Sequence, residues 1–126
     1  MGREKVIACN LVFDETEKLE DKLMKMFSSE NLICCFSEKN FEEYSKVIND
    51  EKIQAVLNDN SIMDTINVFF DSNLNTSITS EKTFMHRNTL NYKLEKVRKL
   101  IGLNLKHFAH AMVFKNLLIV RDIINQ

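Results

Sequence analysis

One amphipathic segment in the second half of the chain limits the fold more than any other feature. Four aliphatic residues recur there at intervals of four, three and four positions: Leu90, Leu94, Val97 and Ile101. This spacing places them on one face of an α-helix. Gly102 follows the last of them, where a helix end favours a residue with positive φ. The segment therefore predicts a long helix from about His86 to Ile101 with one buried face.

Further helices are predicted before this segment. The chain has no proline and only two glycines, which favours helices joined by short connections. Ser61, with Asp64 three residues later, predicts the start of a helix that ends in a polar break at residues 71–75. Apolar residues at helical spacing define its predicted core face: Ile62, Ile66, Phe69 and Phe70.

Two more helices complete the predicted second half. Thr76 or Ser77 is predicted to cap a short helix that ends near Lys82. A break near residues 83–85 separates it from the long helix. The last helix, from about 107 to 124, is apolar on nearly every side, which is typical of a helix buried on several sides.

The first half alternates strand-like and helix-like patterns. Val6–Phe13 and Leu32–Phe36 are rich in β-forming residues and are predicted strands. Asp14 and Asn40 are each followed three residues later by a glutamate, so a helix is predicted after each of them. A further turn or short helix is predicted near Val56. The predicted fold class is mainly α: a C-terminal helix-turn-helix bundle preceded by a small α/β segment of β-α-β-α order.

These patterns divide the chain into residues 1–58 and residues 59–126. Two parallel strands alone make a marginal sheet, so we expect a second subunit to complete it. Packing of the same segments on the C-terminal helices is the alternative. Residues 1–58 are expected to form a homodimer, bind a protein partner or respond to a small effector.

Charge is distributed unevenly along the chain. Residues 1–75 carry 8 basic and 15 acidic side chains, a net charge of −7. Residues 76–115 carry 8 basic and 2 acidic side chains, a net charge of +6. A basic block after an acidic half indicates a surface for a polyanion on the second half, and a solvated basic surface is the alternative.

The polar face of the long helix carries side chains suited to DNA. Arg87 can pair with guanine, and Asn88 and Asn91 with adenine, through the edges that these bases present in the major groove. Thr89, Tyr92 and Lys93 can reach phosphates. A short helix, a tight turn and a longer helix form the helix-turn-helix arrangement, in which the second helix enters the major groove.

The sequence around this turn also resembles a known family. The string MHRNTLNYKL, residues 85–94, is similar to the HRNTLxYRL signature of the C-terminal helix-turn-helix domain of PucR and sugar-diacid (CdaR) regulators. FFDSNLNTSIT upstream and KVRKLIGLNLKHFAHAMVFKNLLIV downstream resemble the entry and exit of the same domain. The resemblance covers about residues 61–124.

The resemblance implies a bacterial transcriptional regulator that binds double-stranded operator DNA. By position it makes His86, Arg87 and the next two residues the start of the recognition helix. It also places Thr76 and Ser77 where a helix N-terminus favours a phosphate. The full set of candidate DNA-binding residues is Thr76, Ser77, His86, Arg87, Asn88, Thr89, Asn91, Tyr92 and Lys93.

The helix before the turn departs from the family pattern. Ser80 stands at a small-residue position, and Glu81 adds a negative charge near the expected DNA face. Thr83 replaces a core leucine, which removes apolar burial worth about 1–2 kcal/mol. Phe84 is expected to compensate for that loss. A degenerate copy of the domain that does not bind DNA is the alternative.

Other functional classes lack support in the sequence. No acid, base and nucleophile set is apparent, which argues against an enzyme. No CxxC or Cys–His spacing is present, so no metal or cofactor is expected. No apolar stretch of 18 residues and no signal peptide is apparent, so a cytoplasmic protein away from membranes is expected. A protein-interaction module with a degenerate helix-turn-helix is the alternative function.

Overall fold

A computed structural model describes residues 38–125, together with Thr16, Lys18 and Asp21. Between residues 38 and 125 the chain forms helices and no strand. The helices are α1 (Glu38–Val47), α2 (Glu51–Leu57), α3 (Asn60–Asp71), α4 (Thr76–Thr83), α5 (Arg87–Ile101) and α6 (Phe108–Ile124). The mainly helical prediction is confirmed for this range. The strands predicted at 6–13 and 32–36, and the helix predicted after Asp14, lie outside the described residues.

The chain divides into two compact units. Ile48–Lys115 forms one, which we call the helical unit, and it contains α2 to α5 and the first half of α6. Met1–Val47 and Asn116–Gln126 are assigned to the other. The predicted division between residues 58 and 59 stays a prediction.

The core of the helical unit consists of apolar faces from several helices. α3 packs against α2, α4 and α5, and α5 also packs against α2 and α4. The stripe predicted for α5 is buried at Leu90, Leu94 and Val97, and Ile101 is half-buried. Phe114 meets Phe70 edge to face at a centroid distance of 6.1 Å. The predicted core face of α3 is confirmed, with Ile62, Ile66 and Phe69 buried and Phe70 half-buried.

Helix α4 differs from its neighbours because it is almost entirely polar. Its sequence is TSITSEKT, and Thr79 is its one buried residue. The Thr79 hydroxyl donates to the carbonyl of Asn75 at 2.7 Å, and the Thr83 hydroxyl donates to the carbonyl of Thr79 at 2.7 Å. These bonds within the helix satisfy the hydroxyl groups, so small side chains can lie against α3 and α5 without unpaired donors.

Two predicted helix caps are wrong by one or two residues. Asp59, not Ser61, caps α3, because its carboxylate accepts the backbone N–H of Ile62 at 3.1 Å. Asn75, not Thr76 or Ser77, caps α4, because its side-chain oxygen accepts the N–H of Ile78 at 2.9 Å. In both cases the capping residue has the extended backbone that leaves its side chain free to turn back onto the helix.

Three helices end on a residue with positive φ. Asn73 (φ 57°) follows α3, Phe84 (φ 53°) follows α4 and Gly102 (φ 79°) follows α5. The prediction for Gly102 is confirmed. The predicted break near residues 83–85 is also confirmed, although the residue that adopts the left-handed conformation is a phenylalanine.

The second unit is described between Glu38 and Val47 and from Asn116 to Asn125. Within it, the Asn116 side-chain amide donates to the Tyr44 hydroxyl at 3.0 Å, which ties α1 to the end of α6. The helix predicted near Asn40 is confirmed as α1, but the predicted cap is wrong, because α1 begins at Glu38 and Asn40 lies within it. None of the helices in the described range combines the length and the hydropathy that a membrane span requires.

Candidate nucleic-acid interface

The helices α4 and α5 and the turn between them form the candidate site. α4 has eight residues, α5 has fifteen, and residues 84–86 join them. α4 packs against both α3 and α5. This is the predicted order of a short helix, a tight turn and a longer helix, and it gives the helical unit the layout of a helix-turn-helix.

The first turns of α4 and α5 are joined by a side-chain contact. Arg87 is the first residue of α5 and Ser77 is the second residue of α4, and both are exposed. The Arg87 Nη2 atom donates to the Ser77 hydroxyl oxygen at 2.9 Å. Ten residues separate them in sequence, so the fold has brought two predicted DNA-binding residues together. Thr76, half-buried, precedes Ser77 at the start of α4.

His86 caps the N-terminus of α5. Its Nδ1 atom accepts the backbone N–H of Asn88 at 3.0 Å, and its imidazole is exposed. This bond requires Nδ1 to be unprotonated, so the remaining ring proton is on Nε2. The cap therefore leaves one donor of His86 directed away from its own helix.

The exposed face of α5 begins directly after this cap. Asn88 and Thr89 are exposed, and Tyr92, one turn later, is 70% exposed. The opposite face of α5 packs on the core, as predicted, because Leu90 and Leu94 are buried there. A polar, exposed helix start beside a basic side chain can donate and accept hydrogen bonds at the edges of bases.

Lys93 and Asn91 differ from the other candidate residues in their surroundings. Lys93 is half-buried, and its Nζ atom donates to the hydroxyl of Ser61 at 2.6 Å and to that of Thr65 at 3.5 Å. Asn91 is half-buried, and its Oδ1 atom is buried without a hydrogen-bond partner in the described part of the chain. Contacts of these two residues with DNA stay a prediction, as do those of the other seven candidates.

Lys93 also borders a surface cleft between α3 and the end of α4. The cleft has a volume of about 580 Å³, and Asp64, Lys82 and Met85 lie on its wall. Lys93 has no carboxylate within ion-pair distance among the described residues. The cleft therefore combines two lysines with several hydroxyl groups, and Asp64 reduces its positive charge.

Further along α5, Arg98 pairs with Glu95. The Arg98 Nε atom lies 2.9 Å from both carboxylate oxygens of Glu95. This side-chain hydrogen bond, with the charge of Arg98, lowers the pKa of the Glu95 carboxyl below its ordinary value of 4.5, and the same hydrogen bond raises the pKa of Arg98. Arg98 is thus neutralised within its own helix, which leaves Lys96 and Lys99 as the exposed cations of this stretch.

Some features of the site were not anticipated from the sequence. Ser61 and Thr65 contact Lys93 although they precede it by 32 and 28 residues in sequence, so no short sequence pattern could have predicted these contacts. Phe84 does not compensate for the lost leucine at Thr83, because its side chain is 97% exposed. Phe84 has a left-handed backbone at the end of α4, and its side chain does not enter the core.

Comparison with known proteins agrees with the helix-turn-helix layout of α4 and α5. Residues 62–119 match the family model of the PucR C-terminal helix-turn-helix domain. The chain is 25% identical over 72 residues to the uncharacterized protein YxkF of Bacillus subtilis (strain 168), a match that covers 57% of this chain and 24% of that protein. It is 38% identical over 48 residues to the purine catabolism regulatory protein of the same organism, covering 38% of this chain and 9% of that protein.

The matched regions are short relative to these relatives, since they span at most about a quarter of their length. No solved structure matches the chain significantly. The matched segment contains α4, the turn and α5 in full, and all nine of the candidate DNA-binding residues. Residues 62–119 of this chain are therefore a PucR-type C-terminal helix-turn-helix domain.

Proposed function

We propose that this protein is a non-enzymatic bacterial transcriptional regulator that binds double-stranded operator DNA through α4 and α5. The observation that carries the proposal is the hydrogen bond between Arg87 and Ser77. Its two partners belong to the N-terminal turns of both helices, which therefore lie side by side on the surface of a PucR-type domain. The first turn of α5 enters the major groove, and the first turn of α4 rests on the adjacent phosphates.

The two helix N-termini have different roles in this proposal. The backbone N–H groups at the start of α4 and the hydroxyls of Thr76 and Ser77 bind a phosphate, because a helix N-terminus favours negative charge. Arg87 leaves Ser77 and pairs with a guanine, and Asn88 pairs with an adenine. Releasing Arg87 costs little, since the bond to Ser77 is exposed to water and water replaces it.

A single recognition helix reads few base pairs, so specificity requires two half-sites and therefore two copies of the domain. We propose a homodimer, with residues outside the helical unit supplying the contact between copies or the site for an effector. The name of the purine catabolism regulatory protein supports a role in regulation, although the match covers 9% of that relative. Regulation of transcription places the protein in the bacterial cytoplasm.

Binding to a fluorescent random-sequence duplex, followed by anisotropy at low and moderate salt, tests this function. We expect wild-type affinity to fall steeply with salt, because phosphate contacts release counterions. Arg87→Ala should weaken binding further, and the matched control Arg121→Ala, whose side chain contacts Asp122 on α6, should not. No binding at low salt would contradict the proposal and favour the protein-interaction module.

A further inference from the structure

Phe84 is exposed to an unusual degree for its size. Its side chain is 97% accessible to solvent, the highest value of any large apolar residue in the described range. Aromatic side chains of this size normally bury most of their surface in a core or an interface. Nothing in the helical unit covers the Phe84 ring, so packing within that unit does not account for a phenylalanine at this position.

The backbone at Phe84 gives a second and independent reason to look beyond folding. Its N–H donates to the Glu81 carbonyl at 3.4 Å, and the N–H of Met85 donates to the Ser80 carbonyl at 3.1 Å. These bonds form a Schellman helix end, whose left-handed residue is normally glycine or asparagine. At the other two left-handed helix ends the chain has Asn73 and Gly102, and Leu74, which follows Asn73 with a φ of 61°, is half-buried. At position 84 it has a bulky residue that is unfavourable in this conformation.

The position of Phe84 indicates what would cover it. It lies in the turn that leads directly into His86 and Arg87, and exposed Lys82 precedes it by two residues. The surrounding segment, residues 76–115, carries the net charge of +6. A partner for this surface is therefore an anion that also offers an apolar group, and the C5-methyl of thymine is the apolar group on the major-groove edge of DNA.

We propose that the Phe84 ring contacts the C5-methyl group of a thymine beside the bases that Arg87 and Asn88 read. This inference rests on the proposed function, and it adds a specificity-determining residue to it. The ring is exposed to solvent, and Phe84 lies in the turn three residues before the first residue of α5. Phe84 thus favours one base at one position of each half-site by apolar contact, without a hydrogen bond.

The test uses the full chain and a duplex selected by that chain from a random library. Each thymine is replaced singly by deoxyuridine, which keeps base pairing and removes only the C5-methyl group. We expect wild-type affinity to fall about fourfold at one thymine per half-site, the effect of one methyl-sized apolar contact. Phe84→Ala removes the contact from both half-sites of the homodimer, so it should bind the unmodified duplex about sixteenfold more weakly and should be insensitive to uridine at either thymine.

Two further variants keep the test decisive. Phe108→Ala removes another exposed phenylalanine, 73% accessible at the start of α6, and should bind every duplex as wild type does. Phe84→Leu keeps an apolar contact and should retain part of the uridine sensitivity, which also covers the case in which the alanine variant folds poorly. Far-UV circular dichroism confirms the fold of each variant.

The outcomes separate this inference from the function on which it rests. If wild type binds no duplex, both fail. If Arg87→Ala weakens binding but Phe84→Ala has wild-type affinity and the same response to uridine, only the thymine contact is overturned. A third outcome is that Phe84→Ala binds all duplexes more weakly by the same factor, with its response to uridine unchanged. That result would indicate a sugar or protein contact and would also overturn the thymine contact.

Discussion

Replacing Phe84 by glycine should stabilise the protein. The φ of 53° at this position places an L-residue in the left-handed region, which costs about 1–2 kcal/mol. Glycine avoids that cost but loses about 0.5–1 kcal/mol through the greater freedom of the unfolded chain. Because the ring is 97% exposed, the substitution removes almost no buried apolar surface. The expected net gain in the free energy of unfolding is about 0.5–1 kcal/mol.

Thermal unfolding followed by far-UV circular dichroism measures this gain. For a unit of this size the expected rise in Tm is about 3–6 °C. The matched control is Phe84→Ala, which removes the ring and keeps the left-handed strain, so its Tm should stay close to that of wild type. A Phe84→Gly variant no more stable than wild type, or an alanine variant that gains as much, would refute the reasoning about the backbone.

Three further predictions concern the same unit. Gly102→Ala should lower the free energy of unfolding by about 1 kcal/mol through backbone strain alone, because an added Cβ meets nothing within 4 Å, and urea titration measures this loss. Leu90→Ala should destabilise by about 3 kcal/mol, because Leu90 is fully buried on α5; a loss below about 1 kcal/mol would mean that α5 does not pack as described. Glu95→Gln should change stability at neutral pH but not in acid. The pKa of Glu95 is lowered in the fold, so the contribution of the Arg98 contact to stability is present above pH 4.5 and is lost as the pH falls through the lowered pKa. The difference in Tm between wild type and Glu95→Gln should therefore shrink on acidification, and a difference that grows would contradict this sign.

The long helix could be predicted from sequence because several local signals agree there. The buried stripe of α5 repeats at helical spacing, and Gly102 marks its end. The start of α3 was harder to predict, because Asp59 and Ser61 are both good capping residues. Local spacing does not report which of them has the extended backbone that lets its side chain reach an N–H group.

The candidate site could be predicted only in part, for two physical reasons. The contact between Lys93 and Ser61 joins different helices, so it depends on packing that no sequence window contains. Hydrophobicity alone does not report whether an apolar residue in a turn packs in the core, since Leu74 is half-buried and Phe84 is exposed although both have a left-handed backbone. The apolar character of Phe84 therefore indicated a core residue, whereas the fold leaves it 97% exposed.

Backbone amide chemical shifts would map the DNA-binding surface of the protein directly. The full chain would be titrated with the selected duplex, and with a scrambled duplex as the control. We expect the largest changes to cluster at residues 75–78 and 84–92, and those at α1 to stay small. Changes centred on α1 or α6, or equal changes with both duplexes, would contradict the claim that the N-terminal turns of α4 and α5 read operator DNA.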